Sequence, residues 1–359
     1  MRVLHVVNDV DTGGAQTLIE ALMLASGEKE SVHLLVLLGE GGLSSRLEAA
    51  AESVTYVRMS RRSLTPVRAM RALISLVREQ QIEVVHSHLH QSDLVNVLTP
   101  HGRPRISTLH SSLDISSNPV ARQVWRATAA LSGRFDTVVA CSASARDFAR
   151  ELGYRYDPDR MPIIHNGSRT APSPSPYPGG EVLLHLARYA APKDHPTLFR
   201  AFARITSRFP RAVLRCAGHN VNDQNTALTS LLLELGIRDR VSLLGSIDNV
   251  REEIRAATGV VFSSYHEALP MAGIEAIGEG TPIITTDIGD ARVLTVSPEA
   301  VVPVRSDEAL AQAMSWLLEL PEEDQVRLRR RSWQLAVEEF DIELTVKRYL
   351  DLYRSAVPH

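Results

Sequence analysis

The sequence predicts an α/β protein made of two doubly wound, Rossmann-like domains. Three observations carry that prediction. Short apolar, β-branched strands alternate with amphipathic helical stretches, a proline- and glycine-rich segment breaks the alternation near the middle, and the alternation then restarts. A chain of 359 residues, 44% hydrophobic, is long enough to bury two cores.

In the first half the strand candidates are Val3–Val7, Val32–Leu38, Val54–Val57, Glu83–Ser87, Arg105–Leu109 and Thr137–Ala140. They are apolar on both faces, as parallel strands covered by helices should be. Amphipathic segments such as Ala15–Ala25, Pro66–Gln80 and Ala143–Leu152 separate them. The break runs from Arg169 to Gly180, where Pro172, Pro174, Pro176 and Pro178 precede Gly179-Gly180. No helix or central strand tolerates that composition. The rhythm resumes with strands at Val182–Leu186, Ala212–Ala217, Val241–Leu244, Gly259–Ser263 and Pro282–Thr285. Helices are expected at Pro196–Arg208, Thr226–Leu235, Val250–Ala257 and Pro270–Glu279, then at Asp307–Leu320, Asp324–Phe340 and Ile342–Arg354. The expected domains are therefore residues 1–170, a linker at 171–180, a second domain at 181–340 and a closing helix at 341–359. Ligands in such sheets bind beyond the carboxyl ends of the strands, at the switch point. Two such edges facing each other would make an interdomain site.

Composition excludes several function classes. A formal net charge of -3 gives no basic excess for nucleic acid. The two cysteines, Cys141 and Cys216, are too far apart in sequence for a metal-ligand pair and too few for a disulfide framework. They fit a reducing compartment. The apolar run Val3–Val7 is too short for a signal peptide, and no run is long enough to span a membrane. A cytoplasmic location is expected. Arg58, Arg61 and Arg62 form a basic run that reads first as a solvated face and second as a peripheral contact with an anionic inner-membrane lipid.

Several segments carry candidate chemistry. After the first strand, Asp11-Thr12-Gly13-Gly14-Ala15-Gln16 lets the backbone turn tightly, and the helix start that follows offers N–H groups to an anion or to sugar hydroxyls. This is not a dinucleotide fingerprint. His86, His88 and His90 alternate along VVHSHLHQSD, which in an extended chain puts them on one side. A zinc site would need a further ligand that the segment does not supply convincingly. His110 ends a strand at its ligand-facing edge, where an imidazole can orient a sugar oxygen. In the second half, Arg188 and Lys193 lie between a strand and a helix start, an arrangement suited to a diphosphate. Gly218 and Gly245 follow strands where a nucleotide could pass close to the backbone. Glu267 sits in a loop and Glu275 eight residues on, about two turns if Leu269–Glu279 is helical. A carboxylate there can accept two hydroxyls of a ribose or hexose. Glu279 is expected to be solvated.

At this point the chain resembles glycosyltransferase family 4, of the GT-B fold. EALPMAGIEA followed by GTPIITTDIG is similar to the family's pair of glutamates and its glycine–proline–strand continuation. LARYAAPKDHPTLFRAFA, DTGGAQ, IIHNGSR and the closing KRYLDLY are similar to further family segments. The resemblance implies transfer of a sugar from a nucleotide-diphosphate donor, UDP-sugar favoured, with retention at the anomeric carbon and without a divalent metal. It implies that Arg188 and Lys193 bind the diphosphate and that Glu275 holds the ribose. Glu267 would lie near the sugar, with the backbone of Ala268, Leu269, Pro270 and Met271 touching its hydroxyls or the diphosphate. Gly14 would approach the diphosphate from the first domain and His110 would contact the transferred sugar. A last helix crossing back to the first domain is implied as well. Ala268-Leu269, His219-Asn220 and Asp290 depart from the family's usual residues and leave the donor open.

The acceptor class is a glycan, a lipid-linked glycan or a small molecule, met by loops at Leu43–Leu47, Arg58–Thr65 and Leu113–Arg122. Two rivals are a nucleotide-sugar epimerase of similar shape and a non-catalytic subunit of a transferase complex.

Overall fold

The computed structural model describes residues 1–11, 14–25, 31–60, 66–110 and 119–357, without the side chains of 14, 15, 119 and 120. The chain divides into two compact units: Met1–Asn166 with Ile342–His359, and Gly167–Asp341.

The first unit alternates β1 (Arg2–Val7), α1 (Gly14–Ala25), β2 (Ser31–Val36), α2 (Ser44–Ala50), β3 (Ser53–Tyr56), α3 (Val67–Glu79), β4 (Val84–His88), α4 (His90–Leu98), β5 (Arg105–Leu109), α5 (Pro119–Leu131), β6 (Thr137–Ala140) and α6 (Ala143–Glu151). Its sheet is parallel with strand order β3-β2-β1-β4-β5-β6. The order reverses between β1 and β4, which makes that edge the ligand-binding switch point of a Rossmann sheet. β-Branched residues fill β1, β2, β4 and β6 because both faces of each strand are covered, and Val3, Val6, Val84, Val85 and Val138 are buried.

The second unit repeats the plan: β7 (Val182–Leu186), α7 (His195–Ile205), β8 (Val213–Ala217), α8 (Thr226–Glu234), β9 (Val241–Gly245), α9 (Val250–Ala256), β10 (Gly259–Phe262), α10 (Met271–Gly278), β11 (Ile283–Thr286), β12 (Val301–Val302), α11 (Asp307–Glu319) and α12 (Glu322–Leu335). The strand order is β12-β11-β10-β7-β8-β9, again parallel, with its switch point between β7 and β10. Polar residues start the helices where the pattern required them. Ser306 Oγ accepts from Ala309 N–H at 3.2 Å before α11, and Asp194 accepts from Thr197 N–H at 3.3 Å before α7.

A π-helical turn, Ala336–Phe340, leads into α13 (Ile342–Ala356), which counts in the first unit. Its buried face, Val346, Tyr349 and Tyr353, packs with Val3, Leu18, Val84 and Ile106. Burying side chains of this size stabilises by about 2 kcal/mol each. The returning helix is thus part of the first core.

Several expectations need correction. Residues 171–180, expected as a linker, belong to the second unit and are tied down there. Ala171 N–H donates to Gly278 O at 2.9 Å, Trp333 Nε1 donates to Ala171 O at 2.8 Å, and the buried Arg329 Nε donates to Ser175 O at 3.1 Å. The chain changes units at Asn166/Gly167 and returns at Asp341/Ile342, where Ser168 N–H donates to Phe340 O at 3.0 Å. Ser44–Ala50 is a helix rather than a loop, because Leu47 buries its side chain in the core. Of the loop expected at 113–122, residues from Pro119 on are helical and 113–118 lie outside the described residues. No described helix is long and apolar enough to cross a membrane.

Candidate active site

At the switch point of the second sheet, β7 and β10 lie side by side and their exits interlock. Tyr265 N–H donates to Pro192 O at 2.9 Å, and Ser263 Oγ donates to Lys193 O at 2.8 Å. These bonds bring Lys193 against Glu267, and Lys193 Nζ forms an ion pair with Glu267 Oε1. Ser264 Oγ also donates to Glu267, at 3.1 Å, and Thr286 Oγ1 from β11 holds Ser264 O at 2.5 Å. The lysine expected to hold a diphosphate is thus half-buried and poised by a carboxylate.

Arg188 leaves the end of β7 on the side of β8. It is exposed, and its guanidinium has no hydrogen-bond partner among the described residues. Its backbone is placed by Gly218 (φ +152°), where a Cβ would sit 2.2 Å from Ala187 O and 2.8 Å from Arg188 N. Only glycine allows this approach. Tyr189 N–H then donates to His219 O at 2.9 Å.

Glu267 and Glu275 do not share a helix face. The helix α10 begins at Met271, four residues after Glu267, because Pro270 is extended (ψ 113°). Leu269 and Pro270 are buried, so this stretch offers ligands only its backbone, together with the N–H groups at the start of α10 that lack intrahelical acceptors. The loop is shaped by Gly289 (φ +47°), where a Cβ would lie 2.1 Å from Glu267 O, and by Asp290 N–H, which donates to Ala268 O at 2.8 Å. Glu275 is half-buried on α10 and its carboxylate has no hydrogen-bond partner among the described residues. Burial raises its pKa above the ordinary carboxylate value, against the field of Arg251. A partly dehydrated, unpartnered carboxylate is suited to accept a pair of hydroxyls.

Glu279 is completely buried, not solvated. It pairs with Arg251 Nη1 and with Arg255 Nε at 2.8 Å. Burial pushes its pKa up, but the two guanidiniums outweigh this and hold it below the ordinary value. It locks α9 to α10, and Arg251 also donates to Arg169 O at 2.7 Å. Gly245, at the end of β9, has φ +68° and its N–H donates to Val221 O at 2.8 Å.

In the first unit, Gly14 is the first residue of α1, while Thr12 and Gly13 lie outside the described residues. Gln16 Nε2 from that helix donates to Asp9 Oδ1 at 3.2 Å. The three histidines expected on one side are not together. Leu89 turns the chain with φ +74°, and His90 opens α4 against Trp125, ring centroids 4.0 Å apart. His5 from β1 takes its place beside His86 and His88, with one ligand nitrogen from each lying within 4.8 Å of the others. His110, just beyond β5, has its Nε2 3.0 Å from His88 Nδ1. Burial lowers the pKa of His110 to about 4. Arg58 is exposed and paired with Glu40 at 2.7 Å; Arg61 and Arg62 lie outside the described residues.

Sequence reasoning missed Ser263, Ser264, Gly289, Arg251 and His5. The Ser-Ser pair after β10 was the available signal, since hydroxyls directly beyond a parallel strand lie at the ligand-binding edge. Nothing local marked His5, which looks like one more strand residue.

Among curated relatives, the mannosylfructose-phosphate synthase of Agrobacterium fabrum is 35% identical over 115 residues, which is 30% of this chain and 25% of that enzyme. The D-inositol 3-phosphate glycosyltransferase of Salinispora tropica is 25% identical over 309 residues, covering 77% of this chain and 64% of the relative. The chain therefore matches a quarter and somewhat under two thirds of the length of these two relatives. The crystal structure of Anabaena Alr3699/HepE in complex with UDP-glucose superposes with a TM-score of 0.82 at 18% identity, covering 99% of this chain and 100% of that one. That likeness shows the fold: two Rossmann-like domains and a C-terminal helix, in the manner of GT-B proteins. Two family models then account for most of the sequence, Glycosyltransferase Family 4 over residues 12–171 and Glycosyl transferases group 1 over residues 170–333, and the chain belongs to this glycosyltransferase family.

Proposed function

We propose that the protein transfers a hexosyl or N-acetylhexosaminyl group from a nucleotide-diphosphate sugar, UDP-sugar favoured, to a hydroxyl, with retention of configuration. The acceptor is a glycan, a lipid-linked glycan or a small molecule. The observation that carries the reading is the set of groups at and beside the second switch point: Arg188 unpartnered, Lys193 paired with Glu267, and Glu275 half-buried without a partner. In this reading Arg188, Lys193 and the N–H groups opening α10 stabilise the charge that develops on the departing diphosphate. Such preorganised stabilisation is the largest contribution to many enzymatic rates. Glu275 accepts the ribose hydroxyls and Glu267 a sugar hydroxyl. The leaving phosphate takes the acceptor's proton. The Anabaena protein solved with UDP-glucose supports the donor class. We place the reaction in the cytoplasm, with any membrane contact peripheral.

The test is a nucleotide-sugar panel scored by binding or slow hydrolysis, followed by an acceptor panel with the best donor. Lys193→Ala should lower kcat by about 100-fold or more, the scale of losing one charge-stabilising group. Glu275→Ala should weaken donor binding by about 10- to 100-fold, the equivalent of a hydrogen bond to a charged group. Near-wild-type turnover and donor binding in both variants would sink the assignment. Conversion of free donor to its epimer without acceptor would favour an epimerase instead, and the absence of donor turnover with every acceptor would indicate a non-catalytic subunit.

A further inference from the structure

The switch point of the first sheet lies between β1 and β4, and one side chain bridges it. Asn8, the residue directly after β1, receives the backbone N–H of Ser92 on its Oδ1 at 3.0 Å. Ser92 stands in the first turn of α4, which opens after the left-handed Leu89 (φ +74°). Ser92 is completely buried, so its N–H, an orphan donor of the helix start, has to be met from inside the protein. Asn8 meets it. The backbone of Asn8 is fixed as well, its carbonyl accepting from Leu38 N–H at 2.9 Å.

This contact decides which way the amide faces. The oxygen and nitrogen of an asparagine side chain are told apart by their partners. A backbone N–H can only donate, so the atom that faces it is the oxygen. The Ser92 hydroxyl, 3.0 Å from the same oxygen and 3.1 Å from Leu89 O, is compatible with that choice but does not make it. The other prong of the amide, Nδ2, has no hydrogen-bond partner among the described residues, and Asn8 is only half-buried.

An oriented, uncharged donor is thus presented at the carboxyl edge of a parallel sheet, where such sheets bind their ligands. Asp9 follows in the chain, its carboxylate occupied by Gln16 Nε2 at 3.2 Å and Asp11 N–H at 3.4 Å. A negative charge beside the amide disfavours a phosphate or carboxylate there and favours a neutral oxygen. The cations suited to a diphosphate, Arg188 and Lys193, belong to the second unit, which leaves this neutral donor for the other substrate.

We propose that Asn8 binds the acceptor substrate, its Nδ2 donating to a neutral hydroxyl or ring oxygen of a carbohydrate or polyol at the first switch point. The oxygen it holds neighbours the attacking hydroxyl, because a donor on the nucleophile itself would draw on the lone pair that forms the new bond. Asn8 orients the acceptor and exchanges no proton with it. This rests on the proposed glycosyl-transfer reading for the ligand's role as acceptor, but the binding itself does not.

The test uses wild-type protein labelled with 15N-asparagine and saturated with UDP, with the Asn8 NH2 signal assigned through its backbone. Three neutral probes are titrated: methyl α-D-glucopyranoside, methyl α-D-mannopyranoside and myo-inositol. At least one should bind and shift that signal. Asn8→Asp keeps an oxygen toward Ser92 and puts a second oxygen where the NH2 was. It should weaken binding of that probe by about 10-fold or more, with UDP affinity held within about 2-fold and Tm not lowered. Asn8→Ala also strands the Ser92 N–H and should lower Tm as well. No binding by any of the three, or binding that leaves the Asn8 signal unmoved, would overturn the inference on wild-type protein alone, whether or not a variant folds. Unchanged probe affinity in folded Asn8→Asp would overturn it too. If a probe engages Asn8 but no nucleotide sugar is turned over, this inference stands and the glycosyl-transfer reading falls. If sugar is transferred to an acceptor with equal kcat/KM in wild type and Asn8→Asp, this inference falls and that reading stands.

Discussion

Mild acid should unfold the first unit before the second. Six histidines of the first unit are held well below their ordinary pKa of 6.5, mainly by burial: His5 and His90 at about 3, His101 and His110 at about 4, and His86 and His88 well below. The second unit has two, His185 at about 4 and His195 at about 3. The folded values lie below the unfolded one, so each group's contribution is complete above pH 6.5 and drains as pH falls toward 4. Between pH 7 and 5.5 each such histidine costs about 1.2 kcal/mol, because the unfolded chain takes up a proton that the folded one refuses. The four first-unit histidines held near 3 to 4 thus cost about 5 kcal/mol, His86 and His88 add to that loss in the same direction, and the second unit loses about 2.5 kcal/mol. Asp93 partly opposes this. Burial raises its pKa to about 7, so its protonation in the folded state returns about 1.6 kcal/mol to the first unit over the same interval. A net loss of about 3 kcal/mol from these groups, deepened by His86 and His88, is a large fraction of the stability of an ordinary domain. The tryptophans make the assay unit-specific, since Trp125 is in the first unit and Trp316 and Trp333 are in the second. Fluorescence of a Trp316→Phe/Trp333→Phe variant should show a transition near pH 5 to 5.5. A Trp125→Phe variant should keep its folded signal to about one pH unit lower. Coincident transitions, or a first unit still folded at pH 4, would refute the reasoning.

Other consequences follow from the second unit. Glu279→Ala removes the buried carboxylate that joins Arg251 and Arg255, two guanidiniums that water can still reach, and should cost about 1.5 to 3 kcal/mol, read as a fall in Tm or in denaturant midpoint. Gly218→Ala forces a Cβ onto the Ala187–Arg188 backbone; it should weaken donor binding by at least 10-fold while leaving far-UV dichroism unchanged, the test being titration with UDP-glucose. Glu267→Gln keeps the side-chain shape but removes the charge facing Lys193. It should shift donor KM and kcat together, and unchanged steady-state kinetics would argue against a role for the Lys193–Glu267 pair.

Much of this architecture is readable along the chain, and the exceptions are instructive. Fully covered parallel strands appear as short β-branched runs, so eleven of the strands could be anticipated from Val3, Val84, Val138, Val213, Val260 and their neighbours. β12 has only two residues, too few for any periodicity. The helix α4 was hidden because its buried face is polar. Ser92 is held by Asn8 Oδ1 at 3.0 Å, Asp93 by Ser87 Oγ at 2.7 Å, and Asn96 Nδ2 by Ser87 Oγ at 3.1 Å, so no apolar stripe marks it. Glu279 was misjudged for a related reason: its two arginines lie 24 and 28 residues away, on a different helix.

By itself, then, the sequence determined the strand rhythm and the placement of Arg188, Lys193 and Glu267 at strand exits and of Glu275 on the helix beyond, because periodicity, glycine and proline act within a few residues. Tertiary structure alone decided the partnerships. Lys193 meets Glu267 across 74 residues and His5 meets His88 across 83, since parallel strand order, not chain proximity, makes β7 adjacent to β10 and β1 adjacent to β4. Charge pairing and burial are properties of those contacts, and they exist only once the strand order is set.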